Sequence, residues 1–342
     1  MSGGRPGPPL GPDQLSAAVL AGLKSAGLEA AAVLDVIGRA LAEDLPVATS
    51  PQVSGAPRPA DEAAPPGGEA APQVGEPAWA VDATSAATVD AALISTGSVV
   101  SRADGVVAGV PVAAAVFEVL LGAAVTVTPT LADGDRVVPG TEVLRVRGPV
   151  RGLLTAERTA LNLLCHLSGV ASVTRLWADA VAGTGAAVRD TRKTLPGLRA
   201  LEKYAVRCGG GRNHRMSLAD AALVKDNHVI AAGGVAAAFT AVRARYPDLP
   251  VEVECDTVEQ VVEAVGAGAD LILCDNMSLD ELRASVAVAR PAGVLLEASG
   301  GLTLDVAAAV AATGVDFLAV GGLTHSAPAL DLGFDLAVPA PR

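Results

Sequence analysis

The sequence predicts an α/β protein in which an N-terminal α+β region is followed by a C-terminal α/β barrel. After residue 185, apolar strand-like segments alternate with helical patterns. The residues that end five of these segments lie 21 to 29 positions apart: Lys225, Glu254, Asp275, Ser299 and Gly321. This spacing is typical of repeated βα units. The segments are continuously apolar, as in a parallel sheet that helices cover on both faces.

The N-terminal region contains two segments for which we predict no regular structure. Residues 1–12 are rich in Gly and Pro and are expected to be disordered. Residues 13–45 predict two helices, because apolar side chains recur there at helical spacing. Residues Pro46–Ala80 contain eight prolines and no sustained hydrophobic period, which predicts a flexible insert.

Short strands and one helix are predicted between Val81 and Val150. The segment "GSVVSRADGVVAG" predicts two strands around an Ala-Asp-Gly turn, and "VPVAAAVFEVLLG" predicts a helix. The segment "DGDRVVPGTEVLRVRGPV" predicts a strand pair with a Pro-Gly turn. A helical stretch near Ala156–Ala182 then leads into the barrel.

The barrel elements follow in order. Strands are predicted at "AAVRDT", "AALVKDN", "VEVECD", "DLILCDN", "VLLEASGG" and "DFLAVGG", and helices between the later strands at "VEQVVEAVGAG", "SLDELRASVAVAR" and "LTLDVAAAVAATG". Each predicted strand ends in polar or glycine-rich residues. A turn or a helix cap would explain any one of these ends, but six at matching positions favour a functional site, since barrels carry their chemistry there.

The composition argues against several classes of protein. A net charge of −12 and a pI near 4.8 are unlike a nucleic-acid-binding protein, which needs a broad basic face. No uncharged stretch reaches the ~18 residues of a membrane span, and the N-terminus lacks the apolar segment of a signal peptide. Four cysteines without a CxxC pair suit reduced thiols. We therefore expect a cytoplasmic protein with no nucleic-acid or membrane partner.

Positive charge is nevertheless concentrated at the predicted strand ends, notably in "GGGRNHRMSLADAALVKDNHV", residues 209–229. Unpaired buried cations are costly, so a bound anion is expected. The planar guanidinium group suits a carboxylate. The sequence therefore predicts a site for a multivalent carboxylate among six cations: Arg158, Arg192, Lys193, His214, Arg215 and Lys225.

The last two strand ends predict a phosphate site beside it. Their glycines expose backbone amides that can cradle a phosphate, although a tight turn would use the same residues: Ser299, Gly300, Gly301, Gly321 and Gly322.

Two acids and two histidines near these ends leave more than one interpretation open. Glu254 and Asp275 could bind Mg²⁺ or sugar hydroxyls, or could instead pair with Arg192 or Lys225. We expect His166 and His228 to pack or cap helices rather than to act in catalysis.

Five segments of the sequence resemble the quinolinate phosphoribosyltransferase family. They are "ERTALNLLCHLSGVAS", "DTRKTLPGLRALEKYAVRCGGGRNHRMSLADAALVKDNHV", "VEVECDTVEQVVEAVGAGADLILCDNM", "EASGGL" and "VGGLTHS". The resemblance covers Leu28–Leu45 and Asp82–Leu336 with order and spacing preserved. It implies an N-terminal α/β sandwich domain and a C-terminal α/β barrel, paired as a homodimer. It also implies the reaction of quinolinate with phosphoribosyl pyrophosphate and Mg²⁺ to give nicotinate mononucleotide, pyrophosphate and CO₂, a step of NAD biosynthesis.

The resemblance also implies roles for individual residues. Those expected around the quinolinate carboxylates are Arg158, lent by the partner subunit, Arg192, His214, Arg215 and Lys225. Those expected at the phosphoribosyl pyrophosphate are Lys193, Glu254, Asp275, Ser299, Gly300, Gly301, Gly321, Gly322 and His325. The catalytic residues would be Lys193, Lys225, Glu254 and Asp275, with Glu254 and Asp275 near Mg²⁺ directly or through substrate or water.

One departure from the family pattern concerns the insert. Glu43-Asp44-Leu45 and Asp82-Ala83-Thr84-Ser85 normally follow one another almost directly, whereas Pro46–Ala80 separates them here. We expect a surface excursion, because closing a longer loop costs little. On this basis residues 13–157 form the N-terminal domain, 158–322 the barrel, and 323–342 a segment that returns to the N-terminal domain.

Three other functions remain open at the level of sequence. A homologue of the same fold could use nicotinate or another substrate, but the full Arg/His/Lys set favours a dicarboxylate. A Schiff-base aldolase would use Lys225 as its nucleophile, whereas the surrounding arginines and glycines favour anion binding. A nucleotide-binding module without catalysis is the third.

Overall fold

The computed structural model describes residues 10–45 and 82–337. The predicted flexible insert, Pro46–Ala80, and most of the predicted disordered N-terminus, residues 1–9, lie outside the described residues. Residues 10–12 of that terminus lead into a short 3₁₀ helix, Pro12–Gln14.

The N-terminal part combines a four-stranded antiparallel sheet, ordered β12-β1-β5-β3, with a two-stranded sheet, β2-β4. Helices α4 and α5 pack against the larger sheet. The last strand of the chain, β12, lies beside the first, with Val99 opposite Phe334. The elements are α1 (Ala17–Ser25), α2 (Ala30–Asp44), α3 (Ala83–Thr88), β1 (Ile94–Ser101), β2 (Gly105–Val106), α4 (Val110–Leu121), β3 (Thr126–Pro129), β4 (Arg136–Val137), β5 (Glu142–Pro149), α5 (Val150–Ala180) and β12 (Leu332–Leu336).

The C-terminal part is a six-stranded parallel sheet in the order β6-β11-β10-β9-β8-β7, with helices following the strands. Arg189 of β6 forms an ion pair with Glu297 of β10, and β11 lies between these two strands in the sheet. Arg212 forms an isolated parallel β-bridge with Arg189 of β6. The elements are β6 (Ala187–Arg189), α6 (Arg199–Cys208), β7 (Ala222–Val224), α7 (Asp226–Ala232), α8 (Val235–Arg245), β8 (Val251–Cys255), α9 (Val258–Gly266), β9 (Leu271–Asp275), α10 (Leu279–Ala289), β10 (Leu295–Ser299), α11 (Ala307–Ala311), β11 (Phe317–Ala319) and α12 (Gly322–His325).

Local sequence explains where the barrel helices begin. Thr257 caps α9 by accepting a hydrogen bond from the backbone N–H of Gln260, and Ser278 caps α10 in the same way toward Glu281. Each of these caps satisfies a backbone donor that the first helical turn leaves unpaired. The predicted α/β fold, with its parallel C-terminal sheet, is confirmed by this order of strands and capped helices.

The long helix α5 joins the two parts. It runs unbroken for 31 residues from Val150 to Ala180 and begins six residues before the predicted Ala156. Pro149 stands at its N-cap, where a residue without an N–H costs nothing. The expected boundary between residues 157 and 158 therefore falls inside one helix. Gly169 lets the C-terminal segment cross α5, since an added Cβ would lie 2.1 Å from the carbonyl oxygen of Pro328.

The two strands predicted around the Ala-Asp-Gly turn are present as β1 and β2, although β1 pairs with β5 and β12, and β2 pairs with β4. The strand pair predicted around the Pro-Gly turn is wrong, because that turn connects β4 to β5, which lie in different sheets. A turn motif reports only a local change of direction, whereas the pairing partners are distant in sequence.

Within residues 10–45 and 82–337, no single helix is both long and apolar enough to cross a membrane. Helices α1 and α2 reach that length only as a pair bent by 108°.

Candidate functional site

Two adjoining cavities open at the carboxyl ends of the parallel strands. The first has a volume of about 360 Å³ and is lined by Thr191, Arg192, Lys193, His214, Arg215, Leu223, Lys225, Glu254, Asp275, Glu297, Ser299 and Ala319. The second has a volume of about 320 Å³ and is lined by Val173, Trp177, Thr191, Lys193, Ser299, Gly300, Gly301, Leu302, Ala319, Val320, Gly321, Gly322 and His325. Because Lys193 and Ser299 line both cavities, the two form one continuous site.

The structure brings together most of the residues that the sequence predicts for this site. Arg192, His214, Arg215 and Lys225 line the first cavity. Arg158 lines neither cavity. It lies on α5 with 65% of its side chain exposed, and its nearest carboxylate, that of Glu157, is 3.8 Å away.

A larger cavity of about 540 Å³ lies between α1, α4, β3 and α6. Its lining is mostly apolar and includes none of the predicted site residues. Size alone therefore does not mark the functional site, and the convergence of charged residues at the strand ends is the better guide.

Positive charge in the first cavity lacks full compensation. The Nε atoms of Arg192 and Arg215 are buried and have no hydrogen-bond acceptor. Burial, together with the neighbouring guanidinium group of Arg192, lowers the pKa of Arg215. Because a guanidinium group carries a positive charge, the cavity is suited to an anion that would accept from both.

Glu254 and Asp275, the two acids at the mouth of the first cavity, have different surroundings. Lys225 donates from Nζ to Oε2 of Glu254 over 2.5 Å, so the predicted alternative of a Lys225 pairing is confirmed for Glu254. Asp275 accepts a hydrogen bond from the side chain of Asn276 and forms no ion pair in the part of the chain that the structure describes. The mouth therefore offers one neutralised and one unneutralised carboxylate.

This donor set fits Mg²⁺ only together with a substrate. Glu254 and Asp275 end the neighbouring strands β8 and β9, and Mg²⁺ is usually held by one or two carboxylates, substrate phosphates and waters. Since Lys225 already occupies one oxygen of Glu254, substrate oxygens and waters would supply most of the remaining ligands.

A buried group of three potential ligands lies deeper, where atoms of His214, Glu252 and Glu297 come within 4.8 Å of one another. The backbone N–H of Arg215 donates to Nδ1 of His214 over 2.7 Å. The hydrogen of the neutral ring is therefore on Nε2, which lies 2.6 Å from Oε2 of Glu252. A metal ion would need the lone pair of Nε2, and that nitrogen carries the hydrogen. These three residues therefore form a hydrogen-bonded cluster rather than a metal site. His214 lines the first cavity with both ring nitrogens engaged, and its contact with a substrate carboxylate stays a prediction.

The glycines of the second cavity shape its backbone. Gly300 and Gly301 both have left-handed φ angles, +91° and +57°. An added Cβ at Gly300 would lie 2.2 Å from Oδ1 of Asn276, which itself has a φ of +55°. Because neither glycine has a side chain, this turn lets an anion approach its backbone N–H groups closely. Close packing also surrounds Gly321, whose added Cβ would lie 3.1 Å from Cδ of Lys193.

Sequence reasoning missed Glu297 as a member of the site. Its carboxylate is fully buried, lines the first cavity and pairs with Arg189. Burial and the nearby carboxylate of Glu252 raise the pKa of Glu297 to about 8. The signal was a single acid in an otherwise apolar strand, two residues before Ser299. Thr191 and Trp177, which line the second cavity, were likewise not predicted.

His228 and His166 have the structural roles that we expected. His228 accepts a hydrogen bond at Nδ1 from the backbone N–H of Lys225 over 2.9 Å, at the start of α7. His166 lies 2.9 Å from the buried carboxylate of Glu202. His325 lies at the edge of the second cavity, with Nδ1 2.7 Å from the hydroxyl of Ser326.

Two protein-family models match this chain and together cover most of the described residues. The model of the quinolinate phosphoribosyl transferase N-terminal domain matches residues 82–168, and that of the C-terminal domain matches residues 170–335. The boundary between the two models falls within α5.

Individual proteins are similar over the same region. The chain is 53% identical over 261 residues to the carboxylating nicotinate-nucleotide pyrophosphorylase of Mycobacterium leprae, which covers 75% of this chain and 92% of that protein. It is 43% identical over 256 residues to the human protein of that name, covering 73% and 85% of the two chains. The crystal structure of NadC from Streptococcus pyogenes superposes with a TM-score of 0.76 at 36% identity and covers 89% of this chain and 95% of its own.

Proposed function

The chain belongs to the quinolinate phosphoribosyltransferase family, and we propose that the two cavities divide its reaction between a dicarboxylate and a phosphorylated sugar. Its activity is that of a carboxylating nicotinate-nucleotide pyrophosphorylase, a pentosyltransferase of NAD biosynthesis. Quinolinate and phosphoribosyl pyrophosphate give nicotinate mononucleotide, pyrophosphate and CO₂.

The observation that supports this assignment of substrates is the difference between the residues that line the two cavities. Arg192, Arg215 and Lys225 give the first cavity three cations for the two carboxylates of quinolinate. Left-handed glycines and a helix start give the second cavity the backbone donors that phosphates require. Lys193 lines both cavities and lies where the two substrates meet.

The first step is proposed to be the transfer of the ribosyl group. As the bond from C1 of the ribose to pyrophosphate breaks, negative charge grows on the leaving oxygen, where Lys193 stabilises it. The pyridine nitrogen forms the new bond to C1. Arg192 and Arg215 hold the quinolinate ring in line with that carbon, a gain that comes largely from orientation.

The second step is proposed to be decarboxylation without a further cofactor. When the carboxylate next to the ribosylated nitrogen leaves as CO₂, its bonding electron pair stays on the ring carbon, where the cationic nitrogen stabilises it. A proton must then be added to that ring carbon. Lys225 is an ammonium paired with Glu254 at the cavity wall, so the lysine or a water beside it supplies this proton.

Mg²⁺ is proposed to bind with the phosphoribosyl pyrophosphate. Its chemistry would be to neutralise the pyrophosphate as that group departs. Asp275 supports this proposal because it is the acid at the mouth without a cationic partner among the described residues. Glu254 would contact the ribose or the metal shell with the oxygen that Lys225 leaves free.

A homodimer in the cytoplasm is proposed as the functional form. The exposure of Arg158 and its absence from both cavities of its own subunit support a role across a subunit interface. There its guanidinium group would complete the carboxylate site of the partner subunit.

The alternative functions fit these contacts less well. A Schiff-base lysine must lose its proton, which a carboxylate 2.5 Å from Lys225 opposes. A nicotinate-using enzyme would need less positive charge than the first cavity holds, since nicotinate has one carboxylate.

The test is to measure the release of pyrophosphate and CO₂ from the purified full-length protein with Mg²⁺, phosphoribosyl pyrophosphate and either quinolinate or nicotinate. Equal release of both products with quinolinate alone is expected. Release of pyrophosphate with nicotinate would contradict the dicarboxylate site. Replacing Arg192 or Lys225 with Ala should sharply reduce quinolinate turnover, and near-normal kinetics in either variant would contradict the assigned roles.

A further inference from the structure

Helix α6 connects the two loops that carry most of the cations of the first cavity. The first loop, residues 190–198, carries Arg192 and Lys193, and the second loop, residues 209–216, carries His214 and Arg215. Between them α6 presents three charged residues, Arg199, Glu202 and Lys203, at positions i, i+3 and i+4, which share one helix face.

Lys203 ties the second loop to the end of β6. It is fully buried and donates to the carboxylate of Asp190 and, over 2.8 Å, to the backbone carbonyl of His214. Asp190, also fully buried, accepts from the backbone N–H of His214 over 2.8 Å and from the side-chain amide of Asn213. The backbone on both sides of the His214 Cα is therefore held by one buried ion pair.

Glu202 ties the first loop to α6 and α5. It is fully buried, with one oxygen 2.9 Å from Nε2 of His166 and the other accepting from the backbone N–H of Leu195 over 3.1 Å. Leu195 lies two residues after Lys193, so this contact limits how far the cationic part of the first loop can move.

Arg199 touches both loops at once. It donates to the hydroxyl of Thr194 over 3.1 Å and to the carbonyl of Arg192 over 3.4 Å in the first loop. It also donates to the carbonyl of Met216 over 3.1 Å in the second loop. A single guanidinium group thus sets the separation of the backbones that carry Arg192 and Arg215.

We propose that Arg199, Glu202 and Lys203 are positioning residues that set the distance between the two cationic loops and thereby the affinity for the dicarboxylate. None of the three lines either cavity, so they act through the residues that they hold. Both loops line the first cavity, whereas only the first loop lines the second. Loosening this face of α6 should weaken quinolinate binding more than phosphoribosyl pyrophosphate binding. This role presupposes the activity proposed above.

The experiment compares steady-state kinetics of the full-length protein with those of Arg199→Met, Glu202→Gln and Lys203→Met. For Arg199→Met we expect KM for quinolinate to rise on the order of tenfold, with smaller changes in kcat and in KM for phosphoribosyl pyrophosphate. Glu202→Gln keeps an acceptor for the N–H of Leu195, so its KM for quinolinate should stay near that of the unchanged protein. Glu202→Ala loses that acceptor, and its KM for quinolinate should rise as in Arg199→Met.

Lys203→Met leaves Asp190 as an unpaired buried charge and can fail to fold, so the double variant Lys203→Met/Asp190→Asn is measured beside it. The control is Asp316→Asn, because Asp316 pairs with Arg290 and accepts from the N–H of Leu296 at the opposite ends of the strands. Its quinolinate KM should remain unchanged.

The outcomes separate the two proposals. If the unchanged protein releases no CO₂ from quinolinate, the proposed function fails. If it is active, but Arg199→Met and the double variant keep the quinolinate KM of Asp316→Asn, or shift both substrate KM values equally, α6 has no positioning role.

Discussion

Two buried or half-buried cations near the barrel mouth, Lys203 and Arg215, have opposite surroundings. Lys203 has a carboxylate and a carbonyl within hydrogen-bond distance and no exposed surface. Arg215 has one carbonyl acceptor, a buried Nε without a partner and a second guanidinium group beside it. The comparison teaches that a cation with all its partners present holds the fold together. A cation whose partners are missing marks the place of a ligand.

The largest effect on stability is expected at Lys203, the cation whose hydrogen-bond partners are all present. Lys203→Met should lower the free energy of unfolding by about 4 kcal/mol, because it leaves Asp190 charged and buried without its cation. Chemical denaturation with urea measures this loss. The double variant with Asp190→Asn should recover part of the loss, and equal stability of Lys203→Met and the unchanged protein would remove the contrast.

The opposite result, a loss of activity without a loss of stability, is expected at Arg215, the cation with missing partners. Arg215→Met should lower kcat/KM for quinolinate about 100-fold, or about 3 kcal/mol, because a charge-assisted contact with a carboxylate is lost. Its free energy of unfolding should stay the same or rise, since an uncompensated charge is removed. A loss of stability as large as that of Lys203→Met would show that Arg215 is structural.

A backbone substitution in the second cavity should have a smaller effect. Gly300→Ala should cost about 2 kcal/mol of stability, because its Cβ would lie 2.2 Å from the side chain of Asn276 at a left-handed φ. We also expect KM for phosphoribosyl pyrophosphate to rise. The matched control is Gly266→Ala in α9, where no atom lies within 4 Å of the added Cβ. Similar thermal midpoints for the two variants would contradict the close packing.

The last prediction concerns the dependence of stability on pH. The pKa of Glu297 is raised to about 8 in the folded protein, against about 4.3 in an unfolded chain. The folded state therefore binds this proton more tightly, so its stabilising contribution is complete below about pH 4 and is lost as the pH rises toward 8. Glu297→Gln does not titrate and should remove about 3 kcal/mol of that decline between pH 5 and pH 8. Denaturation curves at pH 5 and pH 8 measure it, and an unchanged decline in the variant would show that other groups cause it.

Much of the site could be predicted because its signals are local. The end of each barrel strand is marked by a change from apolar to polar residues, as at Asp275 and Ser299. Parallel strands align those ends at one edge of the sheet, so residues far apart in sequence were expected to meet. The glycines at positions 300 and 301 were predicted for the same reason, and both have left-handed φ angles.

Other features of the site could not be predicted because they depend on contacts between distant residues. In the sequence Glu297 looks like an ordinary strand residue. Its role depends on Arg189 and Glu252, which only the fold brings next to it. The charged face of α6 resembles a solvated helix surface, yet Glu202 and Lys203 are fully buried. Burial of a charge becomes possible only when its partner is brought to it by the fold.

The sequence by itself determined the order of helices and strands in the barrel, the edge of the sheet that carries the chemistry and the excess of positive charge there. These depend on periodicity, capping residues and turns, which act within a few residues of the chain. Only the tertiary structure decided that β12 pairs with β1, that α5 spans the two parts, and which cations near the mouth have partners. Pairing of strands and charges is a property of groups that meet in space, so the same lysine or arginine pattern is compatible with either role until the fold brings their neighbours together.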